Sequence, residues 1–308
     1  MTVEPDSAAQ ALPSHPPIGI ENVAMVHHDR VGALASFERL GFTMTPTGRY
    51  LLGGDGGLEL GLANHHALFP RGGYWEIITI GDVDRFDVGY GALIERHGVH
   101  LAKVTLRLDD PAAEVARLRS VGVEVGDPVA MRRSLDVNGR TIDVDMHLVA
   151  YPDSWDTWLH SSLTHADRAT NYVPELLDHP NGAVAIEGVV VSSSDVAAAI
   201  DRLEQFTGSS ADTTDTGTVV HLADGTRFEV WPTDVADDVL PVAWADGVER
   251  LRAMILSTES LEDSAAWITE RGVGLQRNGD QFTVPAAEAE GVHLLFEPWT
   301  RGDLSSIR

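Results

Sequence analysis

The chain has 308 residues, 43% of them hydrophobic and 22% charged, a formal net charge of −25 and no cysteine. That length supports one large core or two domains of about 150 residues, and the apolar content is too high for a disordered chain. The negative charge is spread along the sequence and argues against nucleic acid or an anionic membrane as partner. The missing cysteine excludes disulfides, thiolate metal sites and a cysteine nucleophile.

Residues 1–17, MTVEPDSAAQALPSHPP, have neither the basic nor the apolar stretch of a secretory signal and read as a disordered arm. No run of about 18 apolar residues occurs anywhere, so no transmembrane helix is expected and a cytoplasmic location follows by default. The first element is IENVAMVHHDRVGALASFERLGF (20–42): an apolar β-rich run, an Asp helix start, a helical pattern and a closing glycine. Three strands follow near 49–53, 58–68 and 74–80, separated by glycine turns.

The same opening recurs three times, at 101–123, 186–208 and 251–273. Repetition of this kind means one supersecondary unit used four times. The second unit continues through VGDPVAMRR and GRTIDVDMHLVAYP. In the third and fourth units, Asp224-Gly225 and Asn278-Gly279 mark two-residue hairpins. Asp109-Asp110 and Asp195 read as helix caps.

Residues 151–185 break the pattern and are rich in Trp, His, Pro and Asp. They read as a connection between halves. Trp155, Trp158, Tyr172, His160, His165 and His179 within them either pack that connection or line a pocket. The expected division is an arm (1–17), an N-terminal domain (18–152), a linker (153–179), a C-terminal domain (180–299) and a tail (300–308). The expected fold class is α+β, four βαβββ units arranged as two domains.

Paired βαβββ units resemble the vicinal-oxygen-chelate superfamily, which includes glyoxalases, extradiol dioxygenases, epimerases and antibiotic-binding resistance proteins. IENVAMVHHDRVGALASFERLGF, GLANHHALFPRGGYWEIITI and HPNGA (179–183) are similar to its glyoxalase-like subgroup. The resemblance implies a cleft in each half, with metal ligands on the first and last strand of each unit. The first-strand positions hold Asn22, Lys103, Gly188 and Ala253; the last-strand positions hold Glu76, His147, Glu229 and Leu294. His293 and Glu297 compete for the role in unit four.

Lys103 is the only lysine in the chain. A charged ammonium has no lone pair and cannot ligate a metal. The standard ligand set is therefore incomplete, and the cofactor stays undetermined: a divalent metal, if bound, would use Glu76 and His147. The expected catalytic residues are Glu76 as base, Lys103 as electrostatic anchor and His147 facing Glu76 across the pseudo-twofold axis. Asn22, His28, Asn64, His65 and His66 are expected to bind substrate. Strand parity from Asn22 favours His28 over His27, while the choice between His65 and His66 stays open.

The resemblance implies an enzyme acting on a small carbonyl or aromatic metabolite by proton transfer, isomerase or lyase chemistry. The alternative is a non-catalytic small-molecule-binding protein of the resistance type. A small-molecule ligand is the expected partner, nucleic acid and membrane are not, and a homodimer remains open.

Overall fold

Each of the four repeated segments folds as a strand leading into a capped helix. The computed structural model describes residues 16–152, 158–242 and 249–301. Residues 1–15 of the expected arm (1–17), Trp155 and most of the 300–308 tail lie outside the described residues.

The first unit is β1 (Gly19–Val26), α1 (Arg30–Arg39), β2 (Arg49–Leu52), β3 (Leu58–Glu59), β4 (Leu62–Leu68) and β5 (Tyr74–Ile80). An additional helix, α2 (Tyr90–His97), precedes the second unit. That unit is β6 (His100–Arg107), α3 (Pro111–Ser120), β7 (Val129–Val137), β8 (Arg140–Ala150) and β9 (Leu159–His165). A short helix, α4 (Arg168–Asn171), leads to the third unit: β10 (Ala183–Ser193), α5 (Val196–Thr207), β11 (Ala211–Thr213), β12 (Thr218–His221) and β13 (Arg227–Pro232). After α6 (Thr233–Val239) comes the fourth: β14 (Arg250–Thr258), α7 (Leu261–Thr269), β15 (Gln276–Asn278), β16 (Gln281–Val284) and β17 (His293–Pro298).

The helix starts follow from their caps. Asp29 accepts from the backbone N–H of Val31 and Gly32, and Asp110 from Ala112 and Ala113, with Pro111 at the first helical position. Asp195 and Ser260 do the same for α5 and α7.

Two sheets result, ordered β3-β2-β7-β8-β9-β6-β1-β5-β4 and β11-β12-β13-β10-β14-β17-β16-β15. The first strand of each unit pairs parallel with the last strand of the same unit: β1 with β5, β6 with β9, β10 with β13 and β14 with β17. This is the fourfold repeat in hydrogen bonds, and the architecture is the mixed two-sheet fold expected. The segment expected to be a linker, 153–179, instead supplies β9 to the middle of the first sheet. The hairpin β7–β8 turns at Asn138-Gly139, both with positive φ, and so β8 is not the closing strand of its unit.

Alternate residues divide the packing. On the outer faces Val23, Met25, Trp75, Val104, Val189, Val191, Met254 and Leu256 form one apolar core that joins both halves. Phe37 of α1 meets Trp75 edge to face at 4.1 Å. On the inner faces Ala24, Val26, Ile78, Leu135 and Val144 line a cup in the N-terminal sheet, and Val190, Trp231, Ala253 and Leu295 line one in the C-terminal sheet. The N-terminal cup is drawn nearly shut where Gly48 and Asn64 exchange backbone hydrogen bonds of 2.8 and 3.2 Å. A Cβ at position 48 would overlap the Asn64 amide oxygen and the Arg133 guanidinium, so only glycine fits.

Candidate functional site

The N-terminal cup gathers charge across three neighbouring strands. Ala24 of β1 is in register with Glu76 of β5 on one side and Lys103 of β6 on the other. Two strand spacings separate the outer two backbones by about 10 Å. The small Ala24 side chain between them lets the carboxylate and the ammonium face each other over it.

Glu76 is 2% exposed. Its Oε2 accepts from Asn22 Nδ2 at 2.9 Å, and its Oε1 accepts from Tyr50 hydroxyl at 2.9 Å and from Asn64 Nδ2 at 3.3 Å. His66 Nε2 stands 3.6 Å from Oε1, in a rung that pairs His66 with Glu76. Burial works against the charge on Glu76. The His66 imidazole, the Lys103 ammonium and the Tyr50 hydroxyl outweigh it and hold the carboxyl well below the usual carboxylate range.

His66 is fully buried, stacks on Tyr74 at 4.4 Å, and neither of its ring nitrogens has a hydrogen-bond partner. Burial and the nearby Arg133 charge push its pKa down to about 3, so the ring is neutral at pH 7. Arg133 of β7 is 1% exposed. Its Nε donates to Asn64 Oδ1 at 2.9 Å and its Nη2 to Thr45 hydroxyl at 2.8 Å. Both partners are neutral. Asn64 therefore bridges the guanidinium and the Glu76 carboxylate, and Arg133 fixes which way the Asn64 amide points.

Lys103 keeps part of its exposure and donates from Nζ to the Tyr90 hydroxyl on α2. The same ring lies 4.8 Å from the ammonium at its centroid. Burial lowers the Lys103 pKa while Glu76 opposes that shift. His160, at an irregularity where β9 leaves regular register with β6, feels the charges of both Lys103 and Glu76 and is held neutral, chiefly by burial.

The cup brings together Asn22, Asn64, His66, Glu76 and Lys103 of the residues named from sequence. Three others lie elsewhere. His28 is exposed, because β1 ends at Val26 and the chain turns into the Asp29 cap; strand parity does not extend that far. His65 points to the opposite face from His66, with Nδ1 at 2.8 Å from the Thr45 carbonyl. His147 is exposed on β8, in register with Thr164 of β9. The residue nearest the role assigned to it is His160, on the strand that closes the unit. Tyr50, Tyr90, Arg133 and His160 complete the cup, and of these only His160 drew notice in the sequence.

A divalent metal does not fit this donor set. Among the described residues no group of three or more His, Asp or Glu is placed to hold an ion. Asn22 turns its amide nitrogen, a donor, towards Glu76, and Lys103 brings a positive charge. A doubly charged ion about 4 Å from an ammonium is repelled by roughly 8 kcal/mol at an effective dielectric near 20.

The C-terminal cup has Gly188 and Ala253 on its first strands. Glu229 occupies the rung that corresponds to Glu76, opposite Val190. Arg227 crosses the concave face, pairing with Glu229 at 2.8 Å and with both oxygens of Glu297 at 3.0 and 2.8 Å. His293 has its ring nitrogens engaged by the Pro241 carbonyl and the Ala286 N–H.

The architecture agrees with known proteins. The model of the glyoxalase-like domain matches residues 23–207, more than half of the 308. The chain belongs to that family, within the vicinal-oxygen-chelate superfamily. No curated protein matches the sequence.

Among solved structures, a hypothetical protein from Staphylococcus aureus aligns over 92% of this chain and 100% of its own, with a TM-score of 0.65 at 13% identity. A triple mutant of 4-hydroxymandelate synthase from Streptomyces coelicolor aligns over 94% and 96%, with a TM-score of 0.60 at 13% identity. A xylose isomerase-like TIM barrel/4-hydroxyphenylpyruvate dioxygenase fusion protein aligns over 99% of this chain and 53% of its own, with a TM-score of 0.55 at 14% identity. At such identities the likeness is one of fold. No helix among the described residues is long and apolar enough to cross a membrane.

Proposed function

We propose that the N-terminal cup is the active site of an enzyme that moves a proton on the carbon beside the carbonyl of a small molecule. The observation that carries this is the rung Glu76–Ala24–Lys103, with the chain's single lysine facing a buried carboxylate where the fold family places metal ligands. A lysine ammonium there supplies the positive charge that polarises a carbonyl oxygen.

The chemistry follows from the side chains. Lys103 exchanges its Tyr90 hydroxyl partner for the substrate carbonyl oxygen and donates a hydrogen bond to it. The adjacent C–H bond breaks, its electron pair forms the enolate, and the developing oxyanion is stabilised by Lys103. The proton goes to the lone-pair nitrogen of His66, whose lowered pKa makes it a weak base and leaves the step dependent on the charge that Glu76 sets beside the ring. Glu76, 3.6 Å from that ring, stabilises the imidazolium and is itself fixed by Asn22, Tyr50 and Asn64. Returning a proton to the opposite face of the same carbon gives epimerisation. Expulsion of a leaving group from the enolate gives elimination.

Deuterium incorporation in D2O, followed by NMR over a panel of small carbonyl compounds, tests the reading. Wild type should exchange the α-proton of at least one compound. Lys103→Met and His66→Gln should each lose roughly 100-fold or more in rate, the scale of acid–base and oxyanion contributions. Binding without exchange in wild type would sink this reading in favour of a non-catalytic binding protein. The Glu76 carboxyl, already satisfied by three donors, is the feature that favours that alternative.

A further inference from the structure

Among the described residues the N-terminal cup holds two basic side chains, Lys103 and Arg133, against one carboxylate, Glu76. Neither histidine in it redresses the balance, since His66 and His160 are both neutral. Among the described residues no carboxylate forms an ion pair with Arg133, which is 1% exposed and donates only to Asn64 and Thr45. The adjoining charge cluster lends nothing. There Glu21, Asp224 and Glu187 are matched by Arg107, Arg168 and Arg301.

One positive charge is thus left over across the cup, with Arg133 buried and Lys103 half-buried, in a chain whose net charge is −25. A buried cation without a counter-ion is costly, and proteins keep such sites where a ligand brings the opposite charge. Beside the surplus sits an unpartnered polar group: both nitrogens of the buried His66 lack a hydrogen-bond partner. Tyr50, Tyr74 and Tyr90 and the apolar residues Ala24, Val26, Ile78 and Leu135 form the rest of the lining.

We infer that the ligand of this cup is a small organic anion, a carboxylate bound between the Lys103 ammonium and the Arg133 guanidinium, with its reacting end towards His66. This rests on reading the N-terminal cup as the functional site, and it narrows the carbonyl substrate to an acid such as a 2-oxo acid. Arg133 then acts as a specificity-determining residue as well as the residue that orients Asn64. A neutral isostere of the acid leaves the surplus charge buried and is rejected for that reason.

Calorimetric titration of the full chain with matched pairs decides the matter: pyruvate against pyruvamide, and benzoate against benzamide. At least one acid should bind about tenfold or more tightly than its amide, since losing one charged partner changes affinity on that scale. Arg133→Lys, which keeps the charge but not the planar fork, should weaken acid binding and keep the preference. Arg133→Met should abolish the preference; circular dichroism reports whether that variant folds, and the wild-type comparison stands without it.

Equal affinity for acid and amide, no binding of either acid, or a preference that survives in folded Arg133→Met would each overturn the inference. The outcome separates this claim from the proton-transfer reading. Exchange of neutral ketones with no acid preference leaves the reaction and removes the anion site. Acid preference with no exchange does the opposite.

Discussion

Charge reversal of the usual expectation is the sharpest consequence of the cup. Glu76→Gln removes the one carboxylate that faces Lys103 and Arg133 among the described residues and turns an amide N–H₂ towards donors from Asn22, Tyr50 or Asn64. Breaking a buried charge network in this way costs about 3–5 kcal/mol. Lys103→Met acts differently. It removes the surplus cation, leaves Arg133 and Glu76 in balance, and forfeits one hydrogen bond to the Tyr90 hydroxyl, worth about 1 kcal/mol net. Relief of Lys103 desolvation offsets part of that, so the variant should lie within about 1 kcal/mol of wild type. Urea unfolding followed by tryptophan fluorescence measures both. If Lys103→Met is as destabilising as Glu76→Gln, Lys103 is simply the structural counter-ion of Glu76, and the idea of a cation held ready for a ligand is refuted.

Other consequences can be checked with the same material. Burial pushes the pKa values of His100 and His179 down to about 4 and that of His66 to about 3. All three folded values lie below the unfolded one, so their contribution is complete above about pH 6.5 and drains away as pH falls towards 4, by ~3 kcal/mol each for His100 and His179. The urea midpoint should therefore drop between pH 6.5 and 4.5, although the buried Glu114 and Glu187, whose pKa values burial raises, act in the opposite sense there; a flat profile would contradict the burial of these rings. Gly48→Ala should cost on the order of 2 kcal/mol or more, because the new methyl group must displace the Asn64 amide and the Arg133 guanidinium. It should also weaken benzoate binding, and a silent substitution would show that the cup is not closed at that point. Lys103→His exchanges a repelling charge for a ligand nitrogen beside Glu76 and should raise zinc affinity measurably in equilibrium dialysis, whereas unchanged affinity would show that Lys103 is not what excludes the ion.

Much of the fold was legible because each unit opens with an apolar strand, an Asp or Ser cap and a closing glycine, signals that are local. The errors have local causes too. β9, with the sequence LHSSLTH, shows no apolar alternation because His160 stands beside the charges of the cup and His165 lies against Glu21, so a central strand resembled a linker. The last-strand role then fell to His147 on β8. Helix α2 belongs to no repeat and was not anticipated, although it carries Tyr90 to Lys103. Arg132 and Arg133 are adjacent in sequence and alternate across the sheet: Arg132 pairs outward with Asp145 at 2.7 Å, while Arg133 turns into the cup. Nothing in the sequence says which of the two is inside. Asn22, Glu76 and Lys103 could be named in advance because strand register and the repeat together define their rungs.

The central claim is that a lysine, and not a metal ion, supplies the positive charge in this glyoxalase-like cup. Metal content and α-proton exchange, measured on one chelator-free preparation before and after dialysis against EDTA, test it most directly. The account predicts metal far below one equivalent and the same exchange rate in both samples. One equivalent of bound metal, with exchange lost to EDTA and restored by adding the ion back, would contradict it.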